Sequence, residues 1–333
     1  MSLNKALLLS IVLIFTVACQ CSAPSLLTSL LNRETPPAAA DIDTPETRTY
    51  DIVESIQLTN DGDGSASRVV IRVALIQSIP PYQTVEAFSS SHSFTTVTDE
   101  YGNQYAEIEL QDLGADESQV LDFSYRVTVN EIRADLSSCS GSSIDSYLNN
   151  ETYIESDAAE ILNLAGSIRQ DGMDECQTAR ALYDYVGDHI TYSNCNARDV
   201  GALTALEEGS GDCTEFSDAL IALDRAAGIP ANFVEGVVCC TENGFTPGSV
   251  QHDWSEIYLP GSDWVPVDAT WGRAPMQRDL YFAALPADHI IVTRGRNLTQ
   301  LDGYHYFYFR YWWDFDAASI TPVETWSILP ADL

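Results

Sequence analysis

Lysine is almost absent from this chain. Lys5 is the only one in 333 residues, and with arginine the basic total is 16 against 49 Asp and Glu. A formal charge of -33 excludes nucleic acid as an expected partner, because such a surface repels phosphates and has few cations to displace their counterions. No acidic run is long enough to form a tail, so the charge reads as a dispersed, solvated surface that favours solubility. The chain has no CxxC pair, so a zinc knuckle is unsupported. It shows no calcium-loop pattern and no internal repeat. With only five histidines, few positions are open to acid–base chemistry. What is plentiful is apolar: 45% hydrophobic and 10% aromatic residues, enough for the core of two ordinary domains.

Lys5 precedes "ALLLSIVLIFTVAC", an apolar run of signal-peptide length that is short for a membrane-spanning helix. "TVAC", ending at Cys19, resembles a bacterial lipobox, with Thr16 where that signal usually has Leu. The resemblance implies a signal peptide over 1–19 and a lipid on Cys19 that attaches the protein to a membrane. Plain secretion and an uncleaved anchor are the alternatives, and all three export the chain. Residues 20–48, rich in Ser, Pro, Ala, Thr and acids, read as a flexible linker. Export permits disulfides. With Cys19 lipidated and Cys213 reserved for chemistry, Cys21, Cys139, Cys176, Cys195, Cys239 and Cys240 remain, and six cysteines allow fifteen pairings. The vicinal Cys239 and Cys240 point to opposite faces if they lie on a strand.

Residues 49–140 read as a β-sandwich domain. In "VLDFSYRVTV", Leu121, Phe123, Tyr125, Val127 and Val129 alternate with polar residues, the signature of a half-buried strand. "RVVIRVALI" is apolar on both faces, as in a central strand. Residues 150–333 form the second expected domain. Ala179, Leu182, Tyr183, Val186 and Ile190 make one helical stripe. "RDVGALTALEEGSG" reads as a short helix with Asp199 as N-cap and Gly209 as stop. "CTEFSDALIALDRAAGIP" is an amphipathic helix ended by Gly228 and Pro230. Strands are expected at 231–240, 251–259 and 263–269. The late "YHYFYFRYWW" is expected to supply another strand at the end of that sheet.

Cys213 opens its helix. Unpaired N–H groups and the dipole there favour a thiolate, the reactive form of Cys. Asp212 is placed to cap the helix, and Gly209 and Gly211 let the backbone turn and leave room for a substrate to approach. A structural buried Cys is the bland alternative. A nucleophilic thiol wants an imidazole, and the imidazole an orienting acid. His252 opens "HDWSEIYL" and Asp268 lies in "WVPVDATW". A three-residue loop, either Leu259–Gly261 or Pro260–Ser262, puts both on one face of the hairpin. A two-residue loop at Pro260 and Gly261 puts them on opposite faces. His189, His289 and His305 read as structural, and Trp254 and Trp271 either wall the cleft or pack in the core.

"GDCTEFSDALIALDRAAGIPANFVEGVV" followed by "HDWSEIYLPGSDWVPVDATW" resembles the transglutaminase-like superfamily, and "ARALYDYVGDHITY" the helix that precedes its core. The resemblance covers roughly residues 155–295. It implies an α+β fold: a papain-like transglutaminase core in which a helix carrying the Cys packs on an antiparallel sheet carrying His and Asp, preceded here by the β-sandwich. It also implies a catalytic triad of Cys213, His252 and Asp268 acting on peptide or protein amides without metal or other cofactor. Either hydrolysis or crosslinking is compatible with that triad. The Cys213 N–H is the expected half of an oxyanion hole, with Tyr192 a candidate for the other half. The competing reading is a binding or envelope-assembly module that keeps the fold without turnover. Oligomeric state is not legible.

Overall fold

The computed structural model describes residues 45–137, 139, 143–193, 199–239, 250–303, 308–314 and 317–331; the signal and lipobox expectations, Cys19, Cys21, Cys195, Cys240 and His305 lie outside them. Six strands come first: β1 (Thr47–Asn60), β2 (Ala66–Ala74), β3 (Gln83–Ser90), β4 (Thr95–Thr98), β5 (Gln104–Leu113) and β6 (Ser118–Asn130), then the short β7 (Ile132–Arg133). A helical stretch follows: α1 (Ala159–Ile168), α2 (Glu175–His189), β8 (Thr191–Tyr192), α3 (Gly201–Glu208), β9 (Ser210–Gly211) and α4 (Cys213–Ala226). The chain then returns to strands, with β10 (Ala231–Val238), β11 (Val250–Leu259), β12 (Asp263–Val267), α5 (Arg278–Tyr281), β13 (Ala284–Leu285), β14 (His289–Arg294), β15 (Phe309–Trp313) and β16 (Ile320–Pro330).

The fold is α+β. Two four-stranded sheets, ordered β16-β1-β6-β3 and β15-β2-β5-β4, form the sandwich, and a third, ordered β12-β11-β10-β14, carries the candidate site. The alternating residues of β6 all point into the sandwich core: Leu121, Phe123, Tyr125, Val127 and Val129 are buried, which is what a period of two requires when one face is covered. The late aromatic segment departs from expectation. Its described part, β15, pairs with β2, and β16 runs antiparallel along β1 from Tyr50 opposite Pro330 to Asn60 opposite Ile320. The last strands of the chain therefore cross the expected domain boundary and complete the sandwich. Val237, Ile290 and Val292 of the third sheet join the same apolar core, so sandwich and site sheet share buried surface.

On the other side, α4 packs on the third sheet. Phe216 and Leu220 meet Phe233, Ile257, Val265 and Val267 in one cluster with α2 and α3. Each such side chain withdrawn from water contributes about 1.5–3 kcal/mol, so the helix is held as firmly as the sheet. The start of α3 corrects one expectation: its N-cap is Val200 and no side chain caps it, while Asp199, one residue earlier, pairs with Arg296 (2.5 Å). Gly209 does end it, at φ 63°. Of the fifteen pairings open to six cysteines, one member is settled: Cys139 bonds Cys176. Cys239 is disulfide-bonded too, while Cys213 is a buried thiol outside any disulfide.

Candidate active site

The site begins with the entry to α4. Asp212 is extended, accepts a hydrogen bond from the Thr214 N–H at 3.0 Å, and receives Glu215 back onto its own N–H at 3.0 Å, a reciprocal capping box. Gly211 is required for a reason different from substrate access. A Cβ there would lie 2.3 Å from the Glu215 Cβ, so a side chain would push Glu215 out of the box. Cys213 thus occupies the first helical position of a rigid, buried helix. The dipole favours a thiolate there, although the Asp212 and Glu215 carboxyls offset part of that pull.

A bond one residue further on ties this turn to the sheet: Thr214 Oγ1 donates to Asp253 Oδ2 at 2.7 Å, fully buried. The chain neighbours of Cys213 and His252 are therefore in direct contact. His252 stands opposite Gly236 on β10. That glycine matters for packing, because a Cβ would come 2.5 Å from Cη2 of Trp254, whose ring lies 5.9 Å from the His252 imidazole.

The hairpin adopts the second of the two permissive registers. Ser255 pairs with Val267 and Leu259 with Asp263, which leaves Pro260, Gly261 and Ser262 as the loop. His252 and Asp268 fall on one face, and His252 Nε2 lies 2.8 Å from Asp268 Oδ2, buried. The other carboxyl oxygen accepts the N–H groups of Thr270 and Trp271, both at 2.9 Å. Burial pushes the Asp268 carboxyl up, but the His252 and His289 imidazoles outweigh it and hold the group well below the usual carboxylate range. The Trp271 ring lies 5.2 Å from His252, tilted by 37°, so Trp254 and Trp271 both flank the imidazole. Tyr192 is exposed (42%), with the Arg273 guanidinium 5.0 Å over its ring.

One residue here was read from sequence as merely structural. His289, wholly buried at the start of β14, has Nε2 3.5 Å from Asp268 Oδ2 and Nδ1 2.6 Å from Asp288 Oδ1. Burial lowers its pKa, but the two neighbouring carboxyls outweigh that and raise it to about 9. The acid beside it in "ADHIIV" was visible. Its approach to Asp268 was not, because it depends on β14 pairing with β10.

His252, Asp268 and His289 bring their ligand-type atoms within 4.8 Å of one another. At 2.8 Å the first two are at hydrogen-bond separation, closer than the ~3.3 Å that neighbouring ligands of a tetrahedral ion keep. His252 and Asp268 are therefore hydrogen-bonded as they stand, with His289 Nε2 close to the shared carboxyl oxygen but not bonded to it. Cys139, Asp174 and Cys176 also cluster, but both sulfurs are spent in the disulfide.

The helix that opens with Cys213 packs on the antiparallel sheet whose hairpin carries the bonded His252 and Asp268, a papain-like arrangement of elements. Residues 162–269 match the family profile of the transglutaminase-like superfamily. Among curated relatives, the uncharacterized protein YebA of Bacillus subtilis (strain 168) is 31% identical over 128 residues, 34% of this chain. The chain spans about 17% of that relative's length. Among solved structures, the "putative cysteine protease" of Cytophaga hutchinsonii superposes with a TM-score of 0.60 at 16% identity, covering 86% of this chain and 93% of that one. This likeness shows the fold. The periplasmic domain of TgpA from Pseudomonas aeruginosa, 15% identical over 68% of this chain and 90% of that one, has a TM-score of 0.37.

Proposed function

We propose that the protein is an exported cysteine enzyme using Cys213, His252 and Asp268 to cleave or transfer peptide or protein amides. The observation that carries this reading is the buried 2.8 Å His252–Asp268 bond beside a helix start locked to the same sheet by Thr214 and Asp253. His252 Nε2 donates to Asp268, so Nδ1 is the ring nitrogen left for proton transfer with the thiol. The Cys213 thiolate adds to the amide carbonyl carbon, forming a C–S bond. Collapse breaks the C–N bond, and the His252 imidazolium gives its proton to the departing amine. Water or a second amine then attacks the thioester, His252 takes the incoming proton, and the thiolate is released. The outcome is hydrolysis in the first case and a new amide in the second.

Export is supported by the Cys139–Cys176 disulfide, a bond that persists in oxidising compartments. A lipid on Cys19 would keep the exported chain at a membrane, and Cys19→Ser should then move it from the membrane fraction to the soluble one. The enzymatic proposal is tested by incubating the protein with a peptide library and a labelled primary amine. Cleavage or amine incorporation that disappears in Cys213→Ala supports it. Neither product, or products that survive Cys213→Ala, would favour the binding or assembly role instead.

A further inference from the structure

The structure assigns His289 a role as a second, cationic imidazole behind Asp268, a positioning residue that sets the pH range in which Cys213 and His252 are active. The inference rests on the cysteine-enzyme reading above and extends the row of facing charges to Asp288, His289, Asp268 and His252. The geometry is closed on every side. His289 is sandwiched between two carboxyls, 2.6 Å from Asp288 and 3.5 Å from Asp268. Trp254 stands 5.2 Å away and Trp271 5.1 Å away, with the Tyr281 ring at 6.1 Å. No part of its side chain reaches solvent.

The charge state follows from those neighbours. Two carboxyls face one imidazole in a site closed to water, and the pKa of about 9 keeps His289 protonated at neutral pH. Of the other titratable groups around it, the buried Tyr281 phenol is pushed upward and stays neutral. Across β10 and β11 from His289, Glu235 and Asp253 are adjacent in sequence to Gly236 and His252 and so project to the opposite face, where Asp253 is bonded by Thr214. His252 therefore feels one anion, Asp268, and one cation, His289, its ring 5.8 Å away. On the Cys213 side stand Asp212, Glu215 and Tyr192 with Arg273 over its ring.

A buried cation has a definite effect on a thiol–imidazole pair. It favours loss of a proton from either partner, so it lowers both the pH at which the thiolate–imidazolium pair forms and the pH at which the imidazolium is lost. A unit charge whose ring stands 5.8 Å away, in a site closed to water, repels the imidazolium, so its removal moves the imidazole inflection upward. The thiolate inflection moves in the same direction by less. His289 would also hold Asp268 Oδ2 in the plane of His252, but simple packing would do that too. The pH shift is what sets the two roles apart.

The test is the pH dependence of iodoacetamide alkylation at Cys213, read by mass spectrometry of the peptide that contains it, on the full-length protein. Wild type, His252→Ala, His289→Gln and Asp288→Asn are compared. Asp288→Asn leaves the imidazole in place while removing one of the two charges that protonate it, so it tests the idea even if His289→Gln folds poorly. The expected result is an upward shift of the imidazole inflection in His289→Gln, and a smaller upward shift in Asp288→Asn. Unmoved or downward-shifted inflections in both variants, against a normal wild-type profile, would overturn the inference and leave the enzyme intact. A wild-type profile identical to that of His252→Ala would remove the cysteine-enzyme reading and the inference together.

Discussion

Replacing Asp268 by Asn removes one charge and no volume. In the native site, a protonated His252 lies 2.8 Å from the Asp268 carboxylate, worth about 6 kcal/mol at an effective dielectric near 20. The His289 cation, 5.8 Å from the His252 ring, opposes it by about 3 kcal/mol on the same scale. Removing the carboxylate also takes away one of the two groups that protonate His289, so part of the repulsion goes with it. The imidazolium should lose about 3–6 kcal/mol, which in rate is roughly 10²–10⁴-fold. The amide adds a second penalty. Its oxygen can still accept the Thr270 and Trp271 N–H groups, which leaves its NH2 facing His252 Nε2. That favours the tautomer with the proton on Nδ1, the nitrogen needed to receive one from the thiol. The assay is kcat/KM for amide cleavage on the best library peptide, with circular dichroism and thermal melting to establish that the variant is folded. A folded Asp268→Asn variant within about fivefold of wild type would refute the electrostatic reasoning.

Three further outcomes follow from the same structure. Arg296 is buried against Asp218 (3.1 Å) and Asp199 (2.5 Å) behind α4, so Arg296→Met should leave two carboxyls without their cation and cost about 3–5 kcal/mol of unfolding free energy in urea; a loss under 1 kcal/mol would contradict this. Glu54 and Glu324 share the sandwich interior on β1 and β16, where burial and each other's proximity hold Glu54 well above the usual range, while burial outweighs hydrogen bonding and raises Glu324 to about 7. A carboxyl that is neutral when folded and ionised when unfolded costs stability as pH rises through the ordinary carboxylate pKa toward the folded value; Glu54→Gln should therefore raise the melting temperature at pH 8 and leave it unchanged at pH 4, whereas equal shifts at both would sink the idea. The Cys139–Cys176 bond spans 37 residues, so the double Cys→Ser variant should lose up to about 4 kcal/mol by loop-closure entropy, read from denaturant midpoints, and no loss would mean the unfolded chain is not constrained there.

Much of the site was legible because its signals are local. Capping of α4 is written in Asp212 and Glu215, three residues apart. The His252–Asp268 pairing depends only on a hairpin whose loop has two permissive lengths, and the period of two in β6 names its buried face without any partner. What failed was non-local. β16 pairs with β1 across more than 250 residues of chain, and a strand's alternation says which face is buried, not which strand lies alongside. Asp199 has the right residue type for a cap, but the helix starts one residue later, with Val200 at the N-cap, and a buried guanidinium 97 positions downstream holds Asp199. His289 reads as an apolar-strand histidine until β10 is known to separate β11 from β14. The Cys139–Cys176 pairing was one possibility among many, because cysteine spacing carries no pairing information.

The central claim is that Cys213 and His252 act as one ionised pair, and its most direct measurement is the rate of Cys213 carbamidomethylation at pH 5.5 in wild type and in His252→Ala. The account predicts modification of wild type at least about 100-fold faster than of the variant, because an ordinary thiol near pKa 8.5 is almost wholly protonated at that pH. Equal rates in the two proteins would contradict it.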